Sequence, residues 1–112
     1  MISVATAVTS LTILVWPQGI DGPSERWTLK CGPVGGTHPR AAAACRRLNA
    51  IESPFRPVPR DAVCTAIYGG PDVAQVAGTF RGRRVWARFN LRDGCNISRW
   101  KRLVPLLPSP GA

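Results

Sequence analysis

The chain has 112 residues, a formal net charge of +9 and 45% apolar side chains. That length fits one domain over residues 1–112, and a charged share of only 19% excludes a disordered polyelectrolyte. No run approaches the roughly eighteen apolar residues of a membrane helix, so no membrane partner is expected.

Four cysteines, Cys31, Cys45, Cys64 and Cys95, are an even number in a short chain. That usage suits disulfides and an oxidising, extracytoplasmic compartment. There is no Cys-x-x-Cys and the only histidine is His38, so neither a metal site nor a cofactor is expected. Three pairings of the four cysteines stay open on spacing alone. Residues 1–16 have the apolar look of a signal core but no basic segment before it. They read as mature chain, with Met1 standing where a signal peptide has been removed. Thirteen arginines against two lysines are scattered along the chain. Without a nucleic-acid motif beside them, they read as surface charge rather than as a nucleic-acid or anionic-polymer site, which is kept as the alternative reading.

In chain order, Thr9–Trp16 alternates Leu11, Ile13 and Val15 with Ser10 and Thr12, a half-buried strand that Pro17 ends. After a Gly/Pro turn, Arg26–Cys31 puts Trp27, Leu29 and Cys31 on one face of a second strand, and the two form a hairpin with a long loop. Gly32–Pro39 is a glycine-rich turn. Thr37 or His38 is expected to cap a helix over about Pro39–Glu52, with Pro39 at the first position, where a missing N–H costs nothing. Ala41, Ala44, Cys45, Leu48 and Ile51 share its inner face, so a Cys31–Cys45 bridge would pin that helix to the preceding strand. Ser53–Arg60 carries three prolines and reads as a stiff, exposed linker.

Val73–Phe80 and Arg84–Leu91 are two further strands, joined at Arg81-Gly82-Arg83. Val85, Ala87, Phe89 and Leu91 share one face, and Trp86, Arg88 and Asn90 the other. Trp86 flanked by Arg84 and Arg88 is the one place where a base-stacking surface has support, since such a platform needs an aromatic on a sheet face with basic neighbours. A last helix is expected over Asn96–Val104, followed by a proline-rich tail from 105 to 112.

The inventory excludes the common enzyme classes. Only His38 could serve a Ser/His/acid triad, no Gly-x-Ser-x-Gly exists, and the six carboxylates are dispersed. For His38 a turn or capping role is the better reading.

The informative stretch is Val63-Cys64-Thr65-Ala66-Ile67-Tyr68, closed by Gly69-Gly70-Pro71 and approached through Pro57-Val58-Pro59. Tied down by a cysteine and prolines, yet carrying nothing that a core demands, it is built to be presented outward and reads as a protease-binding loop.

The residues Leu29, Cys31, Pro33, Gly36-Thr37-His38-Pro39, Ala44-Cys45, Leu48, Val63-Cys64, Tyr68, Gly78, Gly82, Arg84-Val85 and Cys95 form a spaced pattern over residues 9–95. That pattern resembles the Streptomyces subtilisin inhibitor family. The resemblance implies an α+β fold, a five-stranded antiparallel sheet with two helices packed on it, and bridges Cys31–Cys45 and Cys64–Cys95. It implies a secreted homodimer, joined through the sheet, that inhibits subtilisin-like serine proteases, with Ala66–Ile67 as the scissile bond and Val63, Cys64, Thr65 and Tyr68 as its binding neighbours. The methyl of Ala66 suits subtilisin-like or elastase-like pockets and cannot reach an acidic trypsin pocket. Thr65 stands where the family often has proline, and beyond Cys95 the chain departs from its best-known members. The arginine-rich hairpin Arg81–Arg84 suggests a second reading, a non-serine target met by another face.

Overall fold

A computed structural model describes residues 8–110, in the order β1 (Thr9–Trp16), β2 (Glu25–Cys31), α1 (Ala41–Asn49), β3 (Val73–Phe80), β4 (Arg83–Asn90) and α2 (Gly94–Arg102). The strands form one antiparallel sheet, ordered β2-β1-β3-β4. The sheet therefore has four strands among the described residues, not the five that the resemblance implies. The long segment from 50 to 72 could have supplied another strand. Its prolines at 54, 57, 59 and 71 lack the N–H groups that a ladder requires, and it passes outside the sheet.

Strict alternation drives β1: Leu11, Ile13 and Val15 are buried while Ser10, Thr12 and Leu14 are half-exposed on the other side. The register lines up Trp27, Ile13, Val76 and Ala87 across all four strands. In the next inward row Gly78 stands opposite Leu11 with φ of 137°, where a side chain would collide with the Ser10 carbonyl. The β3–β4 turn is Arg81-Gly82, with φ of 49° and 81°. Two positive φ values in a two-residue loop fit the right-handed twist of the strands.

Arg81 holds this left-handed backbone while its guanidinium makes three hydrogen bonds. It donates to the carbonyls of Leu48, Ile51 and Glu52 at 3.0–3.1 Å and lies 4.5 Å from the centre of the Phe80 ring. These carbonyls belong to the last turn of α1 and the segment just beyond it, where the helical ladder runs out. All three arginines of the expected hairpin are exposed, but the guanidinium of Arg81 is committed to these carbonyls, whereas Arg83 and Arg84 are not held in this way.

The helices cover the inner sheet face, α1 against β2 and α2 against β4. α1 begins at Ala41 rather than Pro39, and its N-cap, Arg40, makes no side-chain capping bond. Thr37 instead accepts from the Thr28 N–H at 2.9 Å. His38 is buried: Nδ1 accepts from the Arg40 N–H at 2.9 Å, and Nε2 lies 2.8 Å from the Leu106 carbonyl. An acceptor at Nδ1 leaves the proton on Nε2, which donates to Leu106. The ring thus ties the approach to α1 to the end of the chain.

The proline-rich tail is not a tail as far as it is described. Leu106 and Leu107 are fully buried with Trp100 and Leu103, and Trp100 Nε1 donates to the Pro108 carbonyl at 2.8 Å. Nor is Ser53–Arg60 wholly exposed. Pro54 is buried, and Phe55 packs edge-on against Phe80 with ring centres 5.2 Å apart.

Candidate functional site

α2 organises the site. Asp93 caps it, accepting from the Asn96 backbone N–H at 2.8 Å, so that Gly94 and Cys95 form the first turn. Cys95 is bonded to Cys64, with Cα atoms 5.3 Å apart, and Cys31 is bonded to Cys45. The pairing left open by spacing is thereby resolved.

Around Cys64 the chain has no regular structure and little burial. Val63 is 98% exposed, Tyr68 68% and Ile67 54%, and Thr65 and Ala66 are exposed too. Such a run of apolar side chains in water is unusual for a segment without a partner. The backbone, by contrast, is held at several points. The Thr65 carbonyl accepts from Gly94 N–H at 2.9 Å and from Ile67 N–H at 2.8 Å, and Gly69 N–H donates to the Leu91 carbonyl at 2.7 Å. Residues 63–68 therefore lie together on one exposed edge that includes the Ala66–Ile67 peptide bond.

The approach to this stretch is held by Arg99 of α2. Its guanidinium donates to the carbonyls of Arg56 at 2.9 Å and Arg88 at 2.6 Å, with a longer bond to Phe55 at 3.4 Å. It also lies 4.1 Å from the centre of the Phe89 ring. Burial lowers its pKa, and the neighbouring positive charge of Arg102 lowers it further. Sequence reasoning reads Gly69 only as part of the turn that closes the stretch, and gives Asp93, Gly94 and Arg99 no supporting role. The Asp-Gly pair just before Cys95 is a legible helix start, but nothing in the sequence marks Arg99 apart from its neighbours.

Asp93 lies near the Cys64–Cys95 sulfurs, the one cluster of potential metal-binding atoms among the described residues. Both sulfurs are committed to the disulfide and offer no thiolate to a metal. Elsewhere, Trp86 is 63% exposed on the outer sheet face beside Arg84 and Arg88, with the Arg88 guanidinium 5.8 Å from its ring centre.

Residues 6–91 match the subtilisin inhibitor-like (SSI) family. The chain belongs to that family. Its members are protease inhibitors, not enzymes. It is 37% identical over 87 residues to protease inhibitor SIL-V1/SIL-V4 of Streptomyces netropsis, covering 74% of this chain and 78% of that protein. It is 35% identical over 78 residues to subtilisin inhibitor-like protein 5 of Streptomyces fradiae, covering 67% and 72% respectively. A crystal structure of Streptomyces caespitosus sermetstatin in complex with Bacillus licheniformis subtilisin superposes with a TM-score of 0.55 at 25% identity, over 88% of this chain and 98% of that one. The SSI match ends at Leu91, so Cys95, α2 and the buried segment after it lie outside it. In this SSI chain the exposed stretch is inside the match and its supports are mostly outside.

Proposed function

We propose that the chain is a secreted, stoichiometric inhibitor of subtilisin-like serine proteases, with residues 1–112 acting as one inhibitory unit and Ala66–Ile67 as the bond offered to the enzyme. The observation that carries this reading is the exposed 63–68 stretch, anchored on one side by Cys64–Cys95 and on the other by the Gly69–Leu91 hydrogen bond. Val63, Cys64, Thr65 and Tyr68 lie along the enzyme cleft and pair with its strand edge. Because the backbone is fixed beforehand, little ordering entropy is lost on binding.

Attack by the protease serine oxygen on the Ala66 carbonyl carbon forms an acyl bond and breaks the bond to the Ile67 nitrogen, which takes up a proton and leaves as an amine. That amine stays tethered nearby. Its return to the ester carbon expels the serine oxygen and restores the peptide, so resealing competes with attack by water. The Ala66 methyl suits a subtilisin-like or elastase-like pocket. Two disulfides fit an oxidising compartment outside the cell.

The test is titration of subtilisin, with sequencing of any cleaved product. Stoichiometric loss of activity and a new N-terminus at Ile67 are expected, and Ala66→Lys moves inhibition toward trypsin. No inhibition of any subtilisin-like or elastase-like enzyme by wild type or variant overturns the reading.

We further propose a homodimer through the outer sheet face, centred on Trp86. Sedimentation should return twice the monomer mass, and Trp86→Glu should return the monomer. Arg84 and Arg88 flank Trp86 on that face, so pairing it with a copy brings like charges together and the dimer should tighten as salt rises. A wild-type monomer at every salt concentration overturns it.

A further inference from the structure

We propose that Gly69 is a positioning residue, whose seat on Leu91 and Ile97 keeps the Ile67 amine within reach of the acyl group after the Ala66–Ile67 bond opens. This rests on the inhibitor reading and concerns the half of the loop that no disulfide holds. Cys64–Cys95 is covalent and retains the acyl side whatever happens to the bond. The amine side begins at Ile67, whose own N–H reaches only the Thr65 carbonyl of the loop itself at 2.8 Å, and its first attachment to the body of the protein is the Gly69 N–H bond to the Leu91 carbonyl at 2.7 Å.

The contact depends on the missing side chain. A Cβ at Gly69 would stand 3.0 Å from Ile97 Cδ1, 3.1 Å from its Cγ1 and 3.2 Å from Leu91 Cβ. Leu91 is fully buried, and Ile97 is half-buried against the core, so an added Cβ must push the Ile97 side chain aside or lift Gly69 off its seat. Gly69 does not have the positive φ seen at Gly70, so its lack of a side chain serves the close approach rather than a special backbone. Leu91 directly follows β4, which makes the seat part of the rigid sheet.

The seat sets the length of the tether. From Ile67 to Gly69 is two residues, about 7 Å of extended chain. Without it, the next backbone hydrogen-bonded attachment among the described residues is the start of β3 at Val73, six residues from Ile67 and about 20 Å of chain. Effective concentration falls roughly as the −3/2 power of tether length, so losing the seat dilutes the amine about fivefold at the acyl carbon. Water gains by that factor.

Gly69→Ala is therefore expected to be hydrolysed by subtilisin at Ala66–Ile67 about fivefold faster than wild type, with the rate of initial binding unchanged. Ile97→Ala in the same chain removes the two nearest clashing atoms and should return hydrolysis toward the wild-type rate. A mere loss of stability would not be repaired this way, because Ile97→Ala opens a cavity of its own. Hydrolysis of Gly69→Ala at the wild-type rate, or no recovery in the double variant, overturns the proposal while leaving the inhibitor reading intact. Failure of wild type to inhibit sinks both.

Should Gly69→Ala not fold, the cleaved wild-type protein decides. Its Gly69 amide should exchange with deuterium far more slowly than the Tyr68 amide. Equal exchange at the two positions overturns the proposal.

Discussion

The two disulfides do different work although each closes a loop of ordinary size. Cys31–Cys45 spans 14 residues and joins β2 to α1, where Cys45 is already buried beside Ala44 and Leu48. Cys64–Cys95 spans 31 residues and joins an exposed, irregular segment to the first turn of α2. In the chain-entropy view they are worth about 3 and about 4 kcal/mol, a difference too small to distinguish them. What separates them is the surroundings. Around the first, packing would hold the geometry without the bridge, whereas around the second only a few backbone hydrogen bonds would remain.

The largest expected effect breaks that comparison open. Cys31→Ala with Cys45→Ala should lose about 3 kcal/mol in urea unfolding, yet inhibit subtilisin as wild type does wherever it stays folded. Cys64→Ala with Cys95→Ala should lose a similar stability and turn from inhibitor to substrate. Cleavage at Ala66–Ile67 should rise at least about tenfold, since the released loop must be ordered at each encounter. Equal cleavage of the two variants would mean that the bridges are interchangeable and that the loop owes its rigidity to something else.

Much of this contrast is visible in the sequence. The alternation of β1 and the helical spacing of Ala44, Cys45 and Leu48 identify the packed half directly, because burial there is periodic. The exposed half is visible by its lack of any core pattern between Pro57 and Pro71. The strand count is a different matter. The fifth strand came from the resemblance, and the prolines of the 50–72 segment oppose it. The buried Leu106-Leu107 pair is hidden because prolines on both sides look like a tail, and only Trp100 and His38 in space show what it packs against. Arg81 and Arg99 are hidden for a simpler reason. An arginine that satisfies main-chain carbonyls has the same letter as one in solvent.

A smaller effect sharpens the contrast by attacking a polar support. Arg99→Ala leaves the Arg56 and Arg88 carbonyls without their cationic donor. Charge-assisted bonds of this kind are worth about 1.5–3 kcal/mol together with their surroundings. The urea midpoint should fall accordingly. Trypsin should then nick after Arg60, where the approach segment has come away from α2, while the Cys31–Cys45 half stays intact. An unchanged nicking pattern would show that the prolines alone hold the approach.

The smallest effect concerns Thr65, which stands where the family often carries proline. Its carbonyl is doubly bonded, to Gly94 and Ile67, but its N–H donates to nothing among the described residues. Proline there removes no hydrogen bond and restricts the free chain, which stabilises by about 0.4–1 kcal/mol when the native φ is compatible. Cys64 is then also confined to extended backbone, the form that the protease cleft takes up. Thr65→Pro should accordingly slow dissociation from subtilisin by about two- to fivefold, with the unfolding free energy raised by no more than about 0.4–1 kcal/mol. Weaker inhibition would mean that φ at 65 lies outside the range proline allows. The loop would then owe its shape to the Thr65 carbonyl and Gly94 rather than to stiffness within the segment.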